Sequence, residues 1–331
     1  MEQAWAVLLL PMPILFGGIS TAAKSMSTYI LRRLLTAILV LLIVSVAVFA
    51  MIHLAPGDPI EMLTFEVGQV TDMDAIRERL GLNDPLPVQY LRFMRGVLHG
   101  DMGRTIRGNR PVVQEFMSRF PNTLKLAFSS LFLAVLVGVT AGIASAVWPN
   151  SPVDYAAMFI AVFGVSMPVF WLGLMLMLFF SLRLGWLPLT GLDTWKHMIL
   201  PTVTLSSTSM ASIARLMRSG MLDVLREDYV RTAWSKGLNA RSVLFRHALK
   251  NCLIPVVTLA GLQFGHLLGG AVITEIVFAI PGVGRLVVEG IIARDFPLVQ
   301  GSVLFLSAGF VFVNLLVDIL YAYLDPRIHY T

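Results

Sequence analysis

The sequence predicts an all-α membrane protein with six transmembrane helices. Of its 331 residues, 56% are hydrophobic and only 14% are charged, whereas soluble domains carry about 25% charged residues. The charges are clustered, which leaves six uncharged windows long enough to cross about 30 Å of hydrocarbon as helices. Within lipid every backbone polar group must be paired inside its own segment, so these windows predict helices. The windows are 34–57, 126–153, 155–182, 197–214, 251–274 and 296–317.

Residues 1–25 are expected to be an N-terminal extension of uncertain structure and not a further span. Most of this stretch is uncharged, but Pro11 and Pro13 would interrupt a helix there. Glu2 stands where a secretory signal peptide carries Lys or Arg. Met26 resembles a natural start of the chain. A true extra span would place the two termini on opposite sides of the membrane.

The first transmembrane helix is predicted at 29–53, and an extracytoplasmic loop region follows it at 54–120. The run Pro56-Gly57-Asp58-Pro59 is a turn-forming cluster that ends the helix. Within the loop region, 73–80 has the pattern of a short helix, and 111–120 that of an amphipathic helix leading into the second span. The region either caps the pore, meets an external partner, or is a packed lid without a contact role.

The segment 121–322 holds the other five predicted helices, and 323–331 is a short tail. Basic residues outnumber acidic ones in Arg215–Lys250, and membrane proteins retain Lys and Arg on the cytoplasmic side. Six spans put this segment on the same side as Arg32-Arg33, which precede the first span. Both termini are therefore predicted to be cytoplasmic. The same rule explains the net charge of +5 without a nucleic-acid partner.

A polar and basic segment, 221–250, lies between the fourth and fifth predicted spans. Gly237 is suited to end a first helix in the left-handed conformation. Asn239 is placed to cap a second helix that would end near Ile254, before a proline. The segment would then be a rigid corner that meets a soluble partner; the alternative is a solvated basic loop held by lipid headgroups. The first helix is expected to place on one face Leu222, Leu225, Tyr229 and Ala233.

Small residues recur four positions apart in two of the predicted spans. Gly138 and Gly142 share a face in one, and Gly261, Gly265 and Gly269 share a face in the other. Small residues at this spacing let membrane helices approach closely. The pattern favours a multi-helix bundle or a dimer interface.

Several motifs, in the same order along the chain, resemble those of binding-protein-dependent ABC importer permeases. The resemblance covers nearly the whole chain from Met26. It is strongest with the first permease of the dipeptide, oligopeptide, nickel and glutathione uptake group. It implies the type I ABC importer permease fold, with six spans and an outer loop region after the first. The motifs are the runs 53–59, 164–168, 185–188, 227–233, 236–238, 247–251, 254–258, 281–286, 294–300 and 314–318.

The resemblance also implies partners and a location in the bacterial cytoplasmic (inner) membrane. Two different permeases would pair within the lipid, two ATPase subunits would bind the cytoplasmic face, and an extracytoplasmic solute-binding protein would deliver substrate. ATP and Mg would belong to the ATPase subunits, and this chain would not be an enzyme. In agreement, it contains no G-x-x-x-x-G-K-[ST] phosphate loop. Short peptides are the expected substrate, with glutathione or nickel chelates as alternatives.

By the same resemblance, the segment 221–250 would be the contact with the ATPase. The family motif has Glu-Ala-Ala and, after three further residues, Gly; here Arg231-Thr232-Ala233 and Gly237 take these positions. Arg231 replaces the acidic residue, as is usual in the peptide branch, and Trp234 stands where that branch commonly has Arg. The predicted coupling residues are Asp228, Tyr229, Arg231, Thr232, Ala233, Lys236, Gly237 and Leu238.

Three residues are candidates for the translocation path. His266 lies within the fifth predicted span, Glu275 at its outer end, and Ser166 within the third. For His266 the alternative is a hydrogen-bonded interhelical side chain, and for Glu275 a solvated helix end. The six histidines are scattered and there is one cysteine, so no metal site is predicted. Asp318 and Asn314 share a helix face and are expected to bond neighbouring helices.

Two other functional classes are alternatives. An ion-coupled secondary transporter would carry inverted repeats and membrane-embedded charges; no clear repeat is visible, and Asp318 is the one intramembrane carboxylate in the predicted spans. A membrane-embedded hydrolase would need a nucleophile and a base at depth. Ser166 and His266 are the nearest candidates, and no motif supports them.

Overall fold

The chain is almost entirely helical over residues 26–54, 83–106 and 108–324, which the computed structural model describes. The extension 1–25, the predicted helix 73–80 and the tail 323–331 beyond residue 324 lie outside these residues. The predicted first transmembrane helix, 29–53, falls within α1. The helices are α1 (Met26–Leu54), α2 (Leu86–Leu98), α3 (Val112–Val147), α4 (Pro152–Ser166), α5 (Val169–Arg183), α6 (Ile199–Val224), α7 (Asp228–Ser235), α8 (Ala240–Val277), α9 (Val283–Ile292) and α10 (Phe296–Leu324).

In the described part of the chain, four helices are long and apolar enough to cross a membrane, or five if α4 and α5 count as one bent span. The four are α1, α3, α8 and α10. The predicted window 197–214 falls on α6, which has 26 residues and is therefore about 39 Å long. Its many Ser and Thr residues lower its hydropathy. The expected count of six is thus not confirmed by hydropathy, although α6 has the length of a span.

The predicted span 155–182 is not one continuous helix, because the chain breaks between α4 and α5. The two helices meet at an angle of 110°. Pro168 lacks a backbone N–H and disfavours the helical conformation of the residue before it. Met167 is accordingly extended, with φ −87° and ψ 134°. The sequence motif that contains Pro168 therefore marks a bend in the path of this helix pair.

Helix α6 lies at the centre of the bundle, packed against α3, α4 and α8. A Cβ atom added to Gly138 would lie 2.8 Å from Ile213 Cγ2, and one on Gly142 would lie 2.6 Å from Met217 Cβ. Both distances are too short for a real side chain, so the predicted close approach at these glycines is confirmed. One polar contact crosses the same interface, at 2.9 Å between Ser129 Oγ on α3 and Thr202 Oγ1 on α6.

Small residues also bring α8 against α10. A Cβ on Gly261 would lie 2.7 Å from Val317 Cγ2, and one on Gly265 would lie 2.8 Å from Phe310 Cε2. Gly269 has no such neighbour within 4 Å. The predicted glycine face therefore serves helix packing at its first two positions and stays open at the third.

The described part of the region between α1 and α3 is folded onto the bundle. The Tyr90 hydroxyl on α2 lies 2.9 Å from Ser45 Oγ on α1. The buried carboxylate of Asp295 accepts hydrogen bonds from the backbone N–H of Ile106, at 2.8 Å, and of Leu298, at 3.2 Å. The predicted helix 111–120 is the beginning of α3, which continues through Pro121 without a break. The segment before α3 is thereby tied to the start of α10.

Candidate functional site

A sharp corner joins α6, α7 and α8 at the predicted cytoplasmic end of the bundle. Helix α7 ends at Ser235, and Gly237 two residues later has a φ of +76°, in the left-handed region. Such a residue caps a helix through backbone bonds to its last turn, here from Gly237 N–H to Trp234 O at 2.9 Å. Asn239 then caps α8, its Oδ1 accepting from Ser242 N–H at 2.8 Å. The sequence predictions for Gly237 and Asn239 are confirmed.

Two further predictions for this corner are wrong. The chain turns between Leu225 and Glu227, so the helical periodicity counted from Leu222 to Ala233 does not apply across it. Val230 is fully buried while Tyr229 is 41% exposed. Helix α8 also does not end near Ile254 but runs through a proline to Val277. Membrane helices tolerate proline where neighbouring groups satisfy the freed backbone carbonyl, and Pro255 lies within the continuous helix.

The corner is fixed to α8 from beneath. Val230, Ala233 and Val243 form a small buried cluster, and the Tyr229 hydroxyl accepts a hydrogen bond of 2.7 Å from the Asn251 side chain. These contacts hold α7 against the start of α8. A force applied to α7 is therefore passed to two helices of the bundle.

The outer face of the corner carries most of the predicted coupling residues. Arg231 lies 3.7 Å from Asp228, and their side chains are 77% and 97% exposed. An ion pair this exposed contributes little stability, so the guanidinium is available to another protein. Ala233 is the exception among the predicted residues because it faces the cluster beneath. The exposed residues are Asp228, Tyr229, Arg231, Thr232, Lys236, Gly237 and Leu238.

The three candidates for the translocation path are dispersed in the fold. Ser166 ends α4 at the bend, is exposed, and donates to Val162 O at 2.9 Å. His266 is exposed on α8. Glu275 is completely buried, so the expectation of a solvated helix end is wrong. Within the described ranges no three His, Cys, Asp or Glu side chains are grouped to hold a metal.

Glu275 holds the loop that begins α9. Its Oε1 accepts from Thr123 Oγ1 at 2.6 Å, and its Oε2 accepts from Arg285 N–H at 3.0 Å. Thr123 in turn accepts from Val283 N–H at 2.9 Å. A carboxylate is favourable at a helix N-terminus, where backbone N–H groups are otherwise unpaired. A Cβ on Gly282 would lie 2.1 Å from Glu275 Cδ, which explains the glycine of the Pro281-Gly282 motif.

A buried ion pair that the sequence did not indicate lies at the opposite end of the bundle. Arg218 on α6 donates from Nε and Nη2 to the two carboxylate oxygens of Asp154 on α4, both at 2.7 Å. Asp154 also accepts from Asn150 N–H at 3.0 Å. The two partners are far apart in the chain, so no local pattern could have paired them. Ser151 at the N-cap of α4 was the only local signal.

Asp318 on α10 forms an ion pair with Arg33 on α1. The prediction that Asp318 bonds a neighbouring helix is confirmed. Its partner, Arg33, is one of the two cations that precede the first predicted span.

Comparison with known proteins identifies the family. Residues 138–330 match the model of the binding-protein-dependent transport system inner membrane component, and residues 26–127 match the model of the N-terminal part of such components. The chain is 47% identical over 305 residues to the glutathione transport system permease protein GsiC of Salmonella paratyphi A (strain ATCC 9150 / SARB42). It is 44% identical over 333 residues to the dipeptide transport system permease protein DppB of Alkalihalophilus pseudofirmus (strain ATCC BAA-2126 / JCM 17055 / OF4). Each match covers 92% of this chain and all of the relative.

The fold is similar to that of a solved importer. An inward-facing structure of the MetNI methionine ABC transporter contains a chain that aligns with a TM-score of 0.54 at 17% identity. The alignment covers 64% of this chain and 97% of that one. This likeness supports the type I importer permease fold expected from the sequence. The matches to the family models and to the two relatives show the family of this chain. It belongs to the binding-protein-dependent transport system inner membrane components, the permeases of ABC importers.

Proposed function

We propose that this permease imports short peptides, with glutathione as the alternative substrate of the same importer class. The relatives named for glutathione and for dipeptide transport match at nearly equal identity. Either substrate is a small peptide with at least one free carboxylate. An importer of nickel chelates is a further alternative within the same uptake group.

The corner around Gly237 is proposed as the contact with an ATPase subunit. Its exposed face carries the two cations Arg231 and Lys236 and the half-exposed aromatic Trp234. Arg and aromatic side chains are enriched where proteins bind each other. The buried cluster beneath α7 supports the proposal, since a rigid corner transmits the motion of a bound subunit to α6 and α8.

The complete assembly is proposed to contain a second, homologous permease, two ATPase subunits that bind ATP and Mg, and an extracytoplasmic solute-binding protein. The chain is proposed to have both termini on the cytoplasmic side. The excess of basic residues in Arg215–Lys250 supports this orientation.

The single observation that carries the coupling proposal is the left-handed Gly237 in an exposed corner. Gly237→Val should uncouple ATP hydrolysis from uptake, because a β-branched residue is strained at a φ of +76°. Gly100→Val is the matched control: its φ is +77°, its surroundings are also open, and it lies outside the corner. The measurement is uptake of labelled dialanine and glutathione per ATP hydrolysed, in proteoliposomes that contain the whole importer.

Normal uptake per ATP in Gly237→Val, or equal loss in both variants, would contradict the role of the corner. Uptake by the wild-type protein without ATP, driven instead by an ion gradient, would favour a secondary transporter.

A further inference from the structure

Helix α6 carries a polar stripe on a face that the described part of the chain leaves uncovered. The stripe consists of Thr208, Ser212, Arg215 and Ser219, spaced four, three and four residues apart, so they share one side of the helix. Ser212 is half-buried and the other three are exposed. The neighbouring Ile213 and Met217 are fully buried against α3. The stripe is therefore a separate face of α6 and not part of its packing surface.

Arg215 lies well inside the length of the helix. It is nine residues from Val224, the end of α6, which corresponds to about 14 Å along the axis. Arg218, one turn closer to that end, is already half-buried and paired with Asp154. Arg215 directly follows the predicted span window 197–214, and a guanidinium beside hydrocarbon is costly and normally faces the interior of an assembly or a water-filled cavity.

The helices beside α6 turn the stripe into the floor of a groove. On one flank, Cβ atoms placed on Gly270 and Gly220 would lie 3.5 Å from Leu205 Cδ1 and 3.9 Å from Cys252 Sγ, so α8 runs antiparallel along α6. On the other flank, Cβ atoms on Gly164 and Gly173 would lie 3.8 Å from Ser207 O and 3.3 Å from Thr204 Cγ2, which places α4 and α5 there.

The exposed face of α8 lies on the same side of the bundle as the polar stripe of α6, as helical geometry shows. The contacts with α6 lie about 70° around α8 from the mean direction of its exposed residues, at about 100° per residue. The α6 groove, as we name it, thus has the polar stripe as its floor and α8 as one wall. The exposed residues of that wall are Leu262, His266, Gly269 and Ile273.

The positive charge of Arg215 indicates which kind of ligand the α6 groove would bind. Arg215 is the one fully charged side chain of the stripe and makes no ion pair with any residue in the described part of the chain. Asp154, the nearest acidic residue on the α4 flank, is occupied by Arg218. An Arg guanidinium binds carboxylates through two parallel hydrogen bonds. We propose that the α6 groove is a water-filled part of the substrate path and that Arg215 binds the carboxylate of the passing substrate, an inference that rests on the proposed import function.

Two properties of the α6 groove can be tested without knowledge of the natural substrate. They are its access to water and the sign of its electrostatic potential. In the assembled importer, with the sole cysteine removed as Cys252→Ala, Ser212→Cys is treated with two membrane-impermeant thiol reagents. One is the anionic sulfonatoethyl methanethiosulfonate and the other is its cationic trimethylammonioethyl analogue. Thr140→Cys is the matched control, an exposed hydroxyl residue on α3, behind α6. We expect Ser212→Cys to react and Thr140→Cys to remain unlabelled.

The preference of Ser212→Cys for the anionic reagent should fall about three- to tenfold when Arg215→Gln is added. This is the effect expected for unit charges about 6 Å apart in a watery groove. A Ser212→Cys that is no more reactive than Thr140→Cys would overturn the water-filled groove. An unchanged reagent preference would overturn the role of Arg215.

Uptake of dialanine and glutathione then tests the ligand. Arg215→Gln should lower uptake at saturating loaded binding protein by about tenfold, the value of a charged hydrogen bond, and Arg215→Lys, which keeps the charge but not the two parallel hydrogen bonds, should lose less than Arg215→Gln. Equal uptake by Arg215→Gln and the wild type would refute carboxylate binding. Failure of the wild type to take up either probe would contradict the proposed function instead, and the labelling result would stand apart from it.

Discussion

The Asp154–Arg218 pair should respond unequally to removal of its two partners. Asp154 is 3% exposed and Arg218 is 28% exposed, with both hydrogen bonds at 2.7 Å. In Arg218→Met the carboxylate stays buried without its partner. In Asp154→Asn the guanidinium keeps an acceptor and can reach water. Removing one partner of a buried pair costs about 3–5 kcal/mol, so we expect the upper half of this range for Arg218→Met and less than about 3 kcal/mol for Asp154→Asn.

The double variant Asp154→Asn/Arg218→Met should be more stable than Arg218→Met alone, because it leaves no unpaired buried charge. Replacing both partners of a buried pair is often close to neutral. The assay is thermal unfolding of the purified permease in detergent. A change of 1 kcal/mol shifts the midpoint of a protein of this size by about 2–4 °C.

Glu115→Gln is the control for loss of one charge. Glu115 pairs with Arg110 at 3.1 Å, but that arginine is 71% exposed, so the expected cost is below about 1 kcal/mol. Equal destabilisation by Asp154→Asn and Arg218→Met, or a double variant as unstable as Arg218→Met, would refute the reasoning from burial.

Two other variants test steric and surface effects. Gly282→Ala should destabilise the protein by about 2 kcal/mol, because the new methyl group would overlap the buried Glu275 carboxylate. Gly269→Ala is the control, because a Cβ there has no neighbour within 4 Å, and it should change the unfolding temperature little. Similar losses of stability in the Gly282 and Gly269 variants would contradict the role of the contact between Gly282 and Glu275. Arg231→Gln should leave the free energy of unfolding within about 0.5 kcal/mol but reduce co-purification of the ATPase subunit. Arg95→Gln, an exposed cation outside the corner, serves as its control, and undiminished co-purification in Arg231→Gln would count against the contact.

Local chemistry in the sequence was sufficient for some features. The left-handed conformation of Gly237 and the helix cap at Asn239 depend only on the local backbone, and both predictions are confirmed. Gly138 and Gly142 indicated close packing because their spacing already defines a helix face. Helical periodicity failed where it was counted across the turn that separates α6 from α7. Because the chain turns after Leu225, Val230 is buried and the predicted Tyr229 is exposed.

Features that join distant parts of the chain were beyond the sequence. Nothing near Asp154 indicates Arg218, and nothing near Glu275 indicates Thr123. Polarity even suggested the wrong environment for Glu275, since a carboxylate at the end of a span is usually solvated. Burial became favourable there only because backbone N–H groups of α9 converge on it. The bend at Pro168 was not predicted because a hydropathy window depends on the composition of a segment and not on the direction of its helix axis.

Helix α3 has 36 residues and is therefore about 54 Å long, well beyond the about 30 Å of hydrocarbon. Its N-terminal portion holds Thr123, which bonds the Glu275 loop, and Arg119, which bonds Glu289 on α9 at 2.9 Å. Its other portion packs through Gly142 onto Met217, beside Arg218. A continuous helix between these two sets of contacts is a strut. Pro121 is the one proline inside α3 and lies beside the α9 contacts, so a displacement of α9 is expected to move the end of α3 next to Arg218 as well.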